Sequence, residues 1–287
     1  MNRVVVGLDG SPTATAATRW AAQVAERSGW TVQAIWAWQY PAATILPIGR
    51  ADLPNPEEVE RRLGEQAREL LEETLGDLAE RVTLQFRRGP AAAALLHAVG
   101  DGARMAVVGS RGLGGFEGML LGSVSRQLVE HAPCPVTILR DEHAVGGEGV
   151  GHVVVGIDGS TGAGRAMAYA GELARAVGAD LTVASAVSPS DLVQANQEQP
   201  HAGLDEHRKR VWEWTEPLRE SGIEHDLAVV DGDARTALLD LAGERGADLL
   251  VVGSRGLGPV GKLLLGSVAS SLVKHARLPV TVVPSGR

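Results

Sequence analysis

Residues 107–124 read VVGSRGLGGFEGMLLGSV, and residues 251–268 read VVGSRGLGPVGKLLLGSV, with 13 of 18 positions identical at an offset of 144. Each stretch opens on a short apolar run and then places glycines as G-x2-G-x9-G followed by serine. The spacing falls on Gly109, Gly112, Gly122 and Ser123 in the first copy and on Gly253, Gly256, Gly266 and Ser267 in the second. A strand that runs into a glycine loop and then a helix is a place to hold an anion. Glycine admits positive φ and lets a ligand approach the main chain, while free N–H groups at a helix start favour negative charge. The pattern therefore suits a polyphosphate. A purely structural turn, with Ser123 and Ser267 merely capping the helix, is the competing reading.

The repeat extends outward from this stretch. Val4–Ser11 reads VVVGLDGS and Val153–Ser160 reads VVVGIDGS, seven of eight positions matching at an offset of 149. The drop from 149 to 144 means that the second copy is shorter between its two motifs, as surface connections tolerate. Between the copies, Asp141–Gly151 (DEHAVGGEGVG) is glycine-rich and lacks an apolar period, so it reads as a linker. The expected domains are 1–140 and 152–287, joined by 141–151.

Within each copy, β-branched runs alternate with helical patterns. In the first, RVVVGLD, TVQAIWAW, VTLQF, MAVVGS and PVTIL are separated by helices over about 13–27, 57–81, 91–99 and 123–131. The second repeats the order, with helices over about 163–177, 205–221, 234–244 and 267–275. Apolar runs that do not alternate with polar residues belong to a parallel sheet covered on both faces, so the fold class is α/β. Ser11-Pro12 supplies an N-cap and a proline at the first helical position.

Asp9 and Asp158 end the first strand of each copy. If strands one and four are neighbours, their carboxyl ends flank a topological switch point, where open α/β sheets bind ligands. Aspartate and glycine loop then share one crevice. The carboxylate can accept from ribose hydroxyls or hold a phosphate-bridged metal, or it can simply cap the next helix.

Composition narrows the partners. The 287 residues carry 27 Lys and Arg against 35 Asp and Glu, a net charge of −8, which opposes sequence-independent binding to nucleic-acid phosphates. Lysine occurs only at 209, 262 and 274, so backbone N–H groups are better anion donors than an ammonium clamp. No apolar run reaches the roughly 18 residues of a membrane span, and no secretory signal pattern opens the chain, so a cytosolic protein is expected. Cys134, the one cysteine, reads as a small hydrophobe at a strand entrance. GLGPVGKL at 256–263 resembles a P-loop, but Leu263 replaces the required Ser or Thr and the first copy has no lysine there.

A first strand ending G-[LI]-D-G-S, the G-x2-G-x9-G-S loop, and the closing LVEHAPCPVTIL and LVKHARLPVTVV together resemble the universal stress protein family, in its tandem two-domain form. The glycine spacing matches the family's ATP-binding branch. The resemblance implies two five-stranded parallel sheets of order 3-2-1-4-5 with helices on both faces, and ATP, with Mg, as the ligand of each. It implies that Gly7 and Asp9 line the adenosine portion and that Ala37 contacts adenine through its backbone. Gly109, Ser110, Arg111 and Gly112 would wrap the phosphates with Gly122, Ser123 and Val124. In the second copy the matching residues are Gly156, Asp158 and Val187, then Gly253, Ser254, Arg255 and Gly256, then Gly266, Ser267 and Val268. The closing strands of the two halves are expected to pair with each other, with further homo-oligomers open.

The expected role is regulatory in stress or dormancy, through nucleotide-dependent conformation or a downstream protein partner. No residue pair reads as a base for activating water, so catalysis is expected to be slow or absent, and no metal ligand set is assigned. A slow nucleotide hydrolase or adenylyl-transfer enzyme, and a nucleotide-free pairing module, are the alternatives.

Overall fold

The structure is a computed structural model describing residues 2–39, 55–114, 121–140, 149–188, 200–257 and 265–286. The linker residues 141–148, the loop interiors 115–118 and 259–262, and most of the long connections 39–56 and 188–203 lie outside the described residues.

Alternating strands and helices form as the apolar runs require. The first half comprises β1 (Arg3–Gly7), α1 (Pro12–Ser28), β2 (Thr31–Trp38), α2 (Pro56–Leu75), β3 (Val82–Arg88), α3 (Ala91–Gly100), β4 (Met105–Gly109), α4 (Ser123–His131) and β5 (Val136–Leu139). The second comprises β6 (His152–Gly156), α5 (Thr161–Val177), β7 (Asp180–Val187), α6 (Pro200–Trp214), α7 (Glu216–Glu220), β8 (Asp226–Asp231), α8 (Ala234–Glu244), β9 (Leu249–Gly253), α9 (Ser267–His275) and β10 (Val280–Val283).

Two expected helices are shorter than their apolar periods suggest. The segment 57–81 ends as α-helix at Leu75, because Gly76 takes φ +53, and continues as a 3₁₀ helix to Arg81. The segment 205–221 breaks at Thr215. Pro217 has no N–H to bond back to Glu213, and the Thr215 hydroxyl instead donates to the Trp212 carbonyl at 2.9 Å.

The strands form one ten-stranded sheet, in the order β3-β2-β1-β4-β5-β10-β9-β6-β7-β8. Each half keeps the order 3-2-1-4-5 and is internally parallel. The two expected sheets are thus a single sheet, because β5 and β10 pair antiparallel and close both apolar edges. At the centre of that seam Thr137 faces Thr281, both fully buried, with their hydroxyls 2.7 Å apart. Across it, Arg140 donates to the Lys274 carbonyl near the end of α9.

Burial on both faces explains the unbroken valine runs. Val4 and Val6 pack with Trp20, Val153, Val155 and Leu173 on the α1/α5 face, while Val5 joins Leu128, Val154, Leu250 and Leu272 on the other. Both cores run through both halves, and α1 packs on α5. Among the described residues no helix is long and apolar enough to cross a membrane.

Cys134 is 6% exposed, and burial pushes its thiol up to about 12. The thiolate that alkylating reagents require is then scarce at pH 8. Native protein treated with iodoacetamide at pH 8 is expected to remain unmodified by intact-mass analysis, and to react once unfolded.

Candidate functional site

The end of strand 1 turns sharply in both copies. Gly10 and Gly159 take φ +83 and +82, which lets Ser11 and Ser160 cap α1 and α5 by accepting from Ala14 N at 3.3 Å and Ala163 N at 3.1 Å. That turn holds Asp9 and Asp158 at the carboxyl end of the sheet, beside the strand that feeds the glycine loop. Pairing of β1 with β4 and of β6 with β9 makes these the switch points.

A cavity of about 390 Å³ opens at the first, and one of about 410 Å³ at the second, both within the size range of small-molecule sites. Because β5 and β10 run antiparallel, the two cavities lie at opposite ends of the sheet. One wall of each is apolar: Ile35, Ala37 and Leu95 in the first, Ala186, Val252 and Leu238 in the second. The opposite wall is the glycine loop and a helix start.

Side chains cap α1, α2, α5 and α8, whereas α3, α4, α7 and α9 have no side-chain acceptor at the cap; of these, α4 and α9 begin on glycines, Gly122 and Gly266, that line the cavities. Ser123 and Ser267 are the first helical residues rather than caps, and both line the cavities. The first-turn N–H groups therefore remain available to an anion.

Most of the expected residues meet at these cavities. Gly7, Asp9, Ala37, Gly109, Arg111, Gly112, Gly122, Ser123 and Val124 line the first. Gly156, Asp158, Gly253, Arg255, Gly256, Gly266, Ser267 and Val268 line the second.

Three expected residues do not. Val187 is displaced by Ala186: Gly7 pairs with Ile35 and Gly156 with Ala184, so the offset along strand 2 is 149, and Ala37 corresponds to Ala186. A one-residue shift in a strand turns the side chain to the other face. Ser110 and Ser254 are buried, at 1% and 5% exposure, and are not among the residues that line the cavities. Their main chains instead hold the loop in place. The N–H groups donate to Leu139 O at 2.6 Å and Val283 O at 2.8 Å, and the carbonyls accept from Gly122 N at 2.6 Å and Gly266 N at 2.7 Å. The Ser254 hydroxyl also accepts from Ser285 N at 3.0 Å.

The loop glycines have reasons other than positive φ, which none of the six adopts. A Cβ on Gly109 would lie 2.6 Å from Thr13 Cβ and 2.8 Å from its carbonyl carbon, and one on Gly253 would lie 2.9 Å from the Gly162 carbonyl carbon. Here α1 and α5 press their first turns onto the sheet. Gly122 approaches the Ser110 carbonyl, at 3.2 Å from a would-be Cβ.

Residues not among the expected ones complete the walls. Leu8, Ala14, Ile35, Leu95 and Val108 line the first cavity, and Ile157, Ala163, Leu238 and Val252 the second. Leu95 and Leu238 correspond at an offset of 143, a third value, which two offsets taken from the motifs could not supply. Among the described residues no three His, Cys, Asp or Glu side chains cluster as a metal site.

The family model described as "Universal stress protein family" matches residues 1–140 and again 149–284. A universal stress protein of Mycobacterium tuberculosis is 34% identical over 301 residues, covering 97% of this chain and 95% of that protein. One of Mycolicibacterium smegmatis is 30% identical over 288 residues, covering 98% and 96%. The crystal structure of a universal stress protein from Archaeoglobus fulgidus shares the fold, with a TM-score of 0.68 at 22% identity over 99% of both chains. Two matches to one family model and full-length relatives at this identity place the chain in the universal stress protein family, as a tandem member carrying two copies of its fold.

Proposed function

We propose that the protein is an ATP-binding regulator of a stress or dormancy response, with one nucleotide site per half, acting through nucleotide-dependent conformation or partner binding. The observation that carries this reading is the pairing, in both halves, of an apolar pocket wall with a helix start that has no side-chain cap. Such a cavity suits an adenine on one side and phosphates on the other. Ala37 and Ala186, small residues on the second strand, leave the ring room. The loop N–H groups and the first turns of α4 and α9 would hold the phosphates.

Magnesium fits the same arrangement. Among the described residues Asp9 and Asp158 are the carboxylates lining the cavities, and each would reach a cation shared with the phosphates. The ion would offset the charge between carboxylate and phosphate. Among the described residues no histidine lines either cavity, and the Asp9 and Asp158 carboxylates are both engaged by main-chain N–H groups, which favours a binding role over rapid turnover.

Mass spectrometry of ligand released from freshly purified protein tests the proposal, together with thermal unfolding in Mg-ATP. A ligand at about 100 times its Kd stabilises by about 2.7 kcal/mol, so a clear rise in Tm is expected. Multiple-turnover release of ADP or pyrophosphate would replace the regulator with an enzyme. No released nucleotide and no rise in Tm would leave a pairing module.

A further inference from the structure

We infer that Asp9 and Asp158 are positioning residues that latch the glycine loops, and that Gly112 and Gly256 lack a side chain to admit those carboxylates. Asp9 Oδ1 accepts from Ser11 N at 3.0 Å and Oδ2 from Leu113 N at 3.1 Å. Asp158 repeats both bonds, to Ser160 N at 3.0 Å and Leu257 N at 3.0 Å. One carboxylate thus ties the start of α1 or α5 to a loop about 100 residues further along the chain.

The glycines fit this role in both copies. Neither Gly112 nor Gly256 has positive φ, so backbone conformation does not demand glycine there. A Cβ on Gly112 would overlap Asp9 Oδ2, and one on Gly256 would overlap Asp158 Oδ2. Among the described residues other than its chain neighbours, such a Cβ meets only that aspartate within 4 Å. Packing does not hold the following residue either, since Leu113 and Leu257 are 72% and 73% exposed. In the first copy the Thr13 hydroxyl also donates to the Arg111 carbonyl, but in both copies the amide after the glycine is held by the carboxylate, and hydrogen bonds to a charged acceptor are about twice as strong as neutral ones. The loop is therefore shaped before any ligand arrives.

The latch belongs to the ligand-free protein, and rests on the nucleotide reading only where affinity is measured. Its test is the water-exchange rate of the Leu113 and Leu257 amides by NMR on the full chain, without ligand. In Asp9→Ala the Leu113 amide is expected to exchange roughly tenfold faster while Leu257 is unchanged, and Asp158→Ala is expected to give the converse. Gly112→Ala, at an exposed loop position that keeps the Ser11 bond, is expected to open the same amide. In the Asp9→Ala background, Gly112→Ala is expected to add nothing, because the space it needs is already vacated.

Unchanged Leu113 exchange in Asp9→Ala, or a full additive effect of Gly112→Ala in that background, would overturn the inference. Inorganic tripolyphosphate separates the latch from a ribose contact. The latch predicts that Asp9→Ala weakens tripolyphosphate and ATP alike. A loss confined to ATP, with exchange unaltered, would make the carboxylate a sugar ligand and overturn the latch. Failure of ATP to bind the parent protein would refute the nucleotide reading and leave the exchange result standing.

Discussion

Ser123→Asp is expected to abolish measurable nucleotide binding at the first cavity while leaving the protein as stable as before, and Ser267→Asp is expected to do the same at the second. Both serines are exposed, and both open an α-helix whose cap is a glycine. A carboxylate in the first turn interacts favourably with the helix dipole, by about 0.3–1 kcal/mol, so the fold gains slightly. The same carboxylate stands where phosphate would bind. Two unit charges 4 Å apart repel by about 4 kcal/mol at an effective dielectric of 20, and a polyphosphate carries several. A drop in affinity of at least roughly 100-fold per site follows, read by titration calorimetry, with Tm unchanged or raised. Loss of binding accompanied by a fall in Tm would point instead to damage of α4 or α9.

Gly109→Ala and Gly253→Ala are expected to act in the opposite sense, costing stability first. The methyl added at position 109 would meet the Thr13 backbone at 2.8 Å, and the methyl added at position 253 would meet the Gly162 backbone at 2.9 Å. A backbone cannot swing aside as a side-chain tip does. Overpacking of this kind costs about 1–3 kcal/mol per site, and the double variant, with the sites in separate halves, should show the sum. Urea unfolding should show a lower midpoint for each single variant without ligand present. A midpoint unchanged from the parent protein would mean that α1 and α5 do not press on these glycines. These substitutions are therefore poor probes of phosphate binding, although their glycines sit in the motif that suggests it.

The contrast between the two pairs of residues explains how much could be read in advance. Local signals survived folding with little change. The bounds of α4, α8 and α9 and the Ser11-Pro12 helix start follow from apolar period and capping chemistry, while the pairing of the closing strands follows from the family resemblance and its antiparallel direction is seen only in the fold. The internal repeat located both cavities. What failed depended on contacts between distant segments, or on a single residue of register.

Ala186 rather than its neighbour Val187 lines the second cavity, because a strand of small apolar residues carries no sign of its register in the sequence. Ser110 and Ser254 belong to the glycine motif by spacing, yet their side chains are buried and their main chains hold the loop. Whether a glycine serves φ, a helix contact or a carboxylate is invisible in spacing. Gly109 answers to Thr13, Gly112 to Asp9 and Gly122 to Ser110, contacts that only the folded chain brings together. The break at Pro217 is different. Its chemistry was visible in the sequence, but the apolar period continued through it.

If each half holds one nucleotide in the cleft between its first and fourth strands, the number bound per chain must follow the number of intact helix starts. Calorimetric titration of the intact chain with Mg-ATP counts them, alongside Ser123→Asp, Ser267→Asp and the double variant. Two ATP per chain are expected for the parent, one for each single variant and none for the double. Two bound nucleotides in the double variant, or none in the parent, would contradict one site per half.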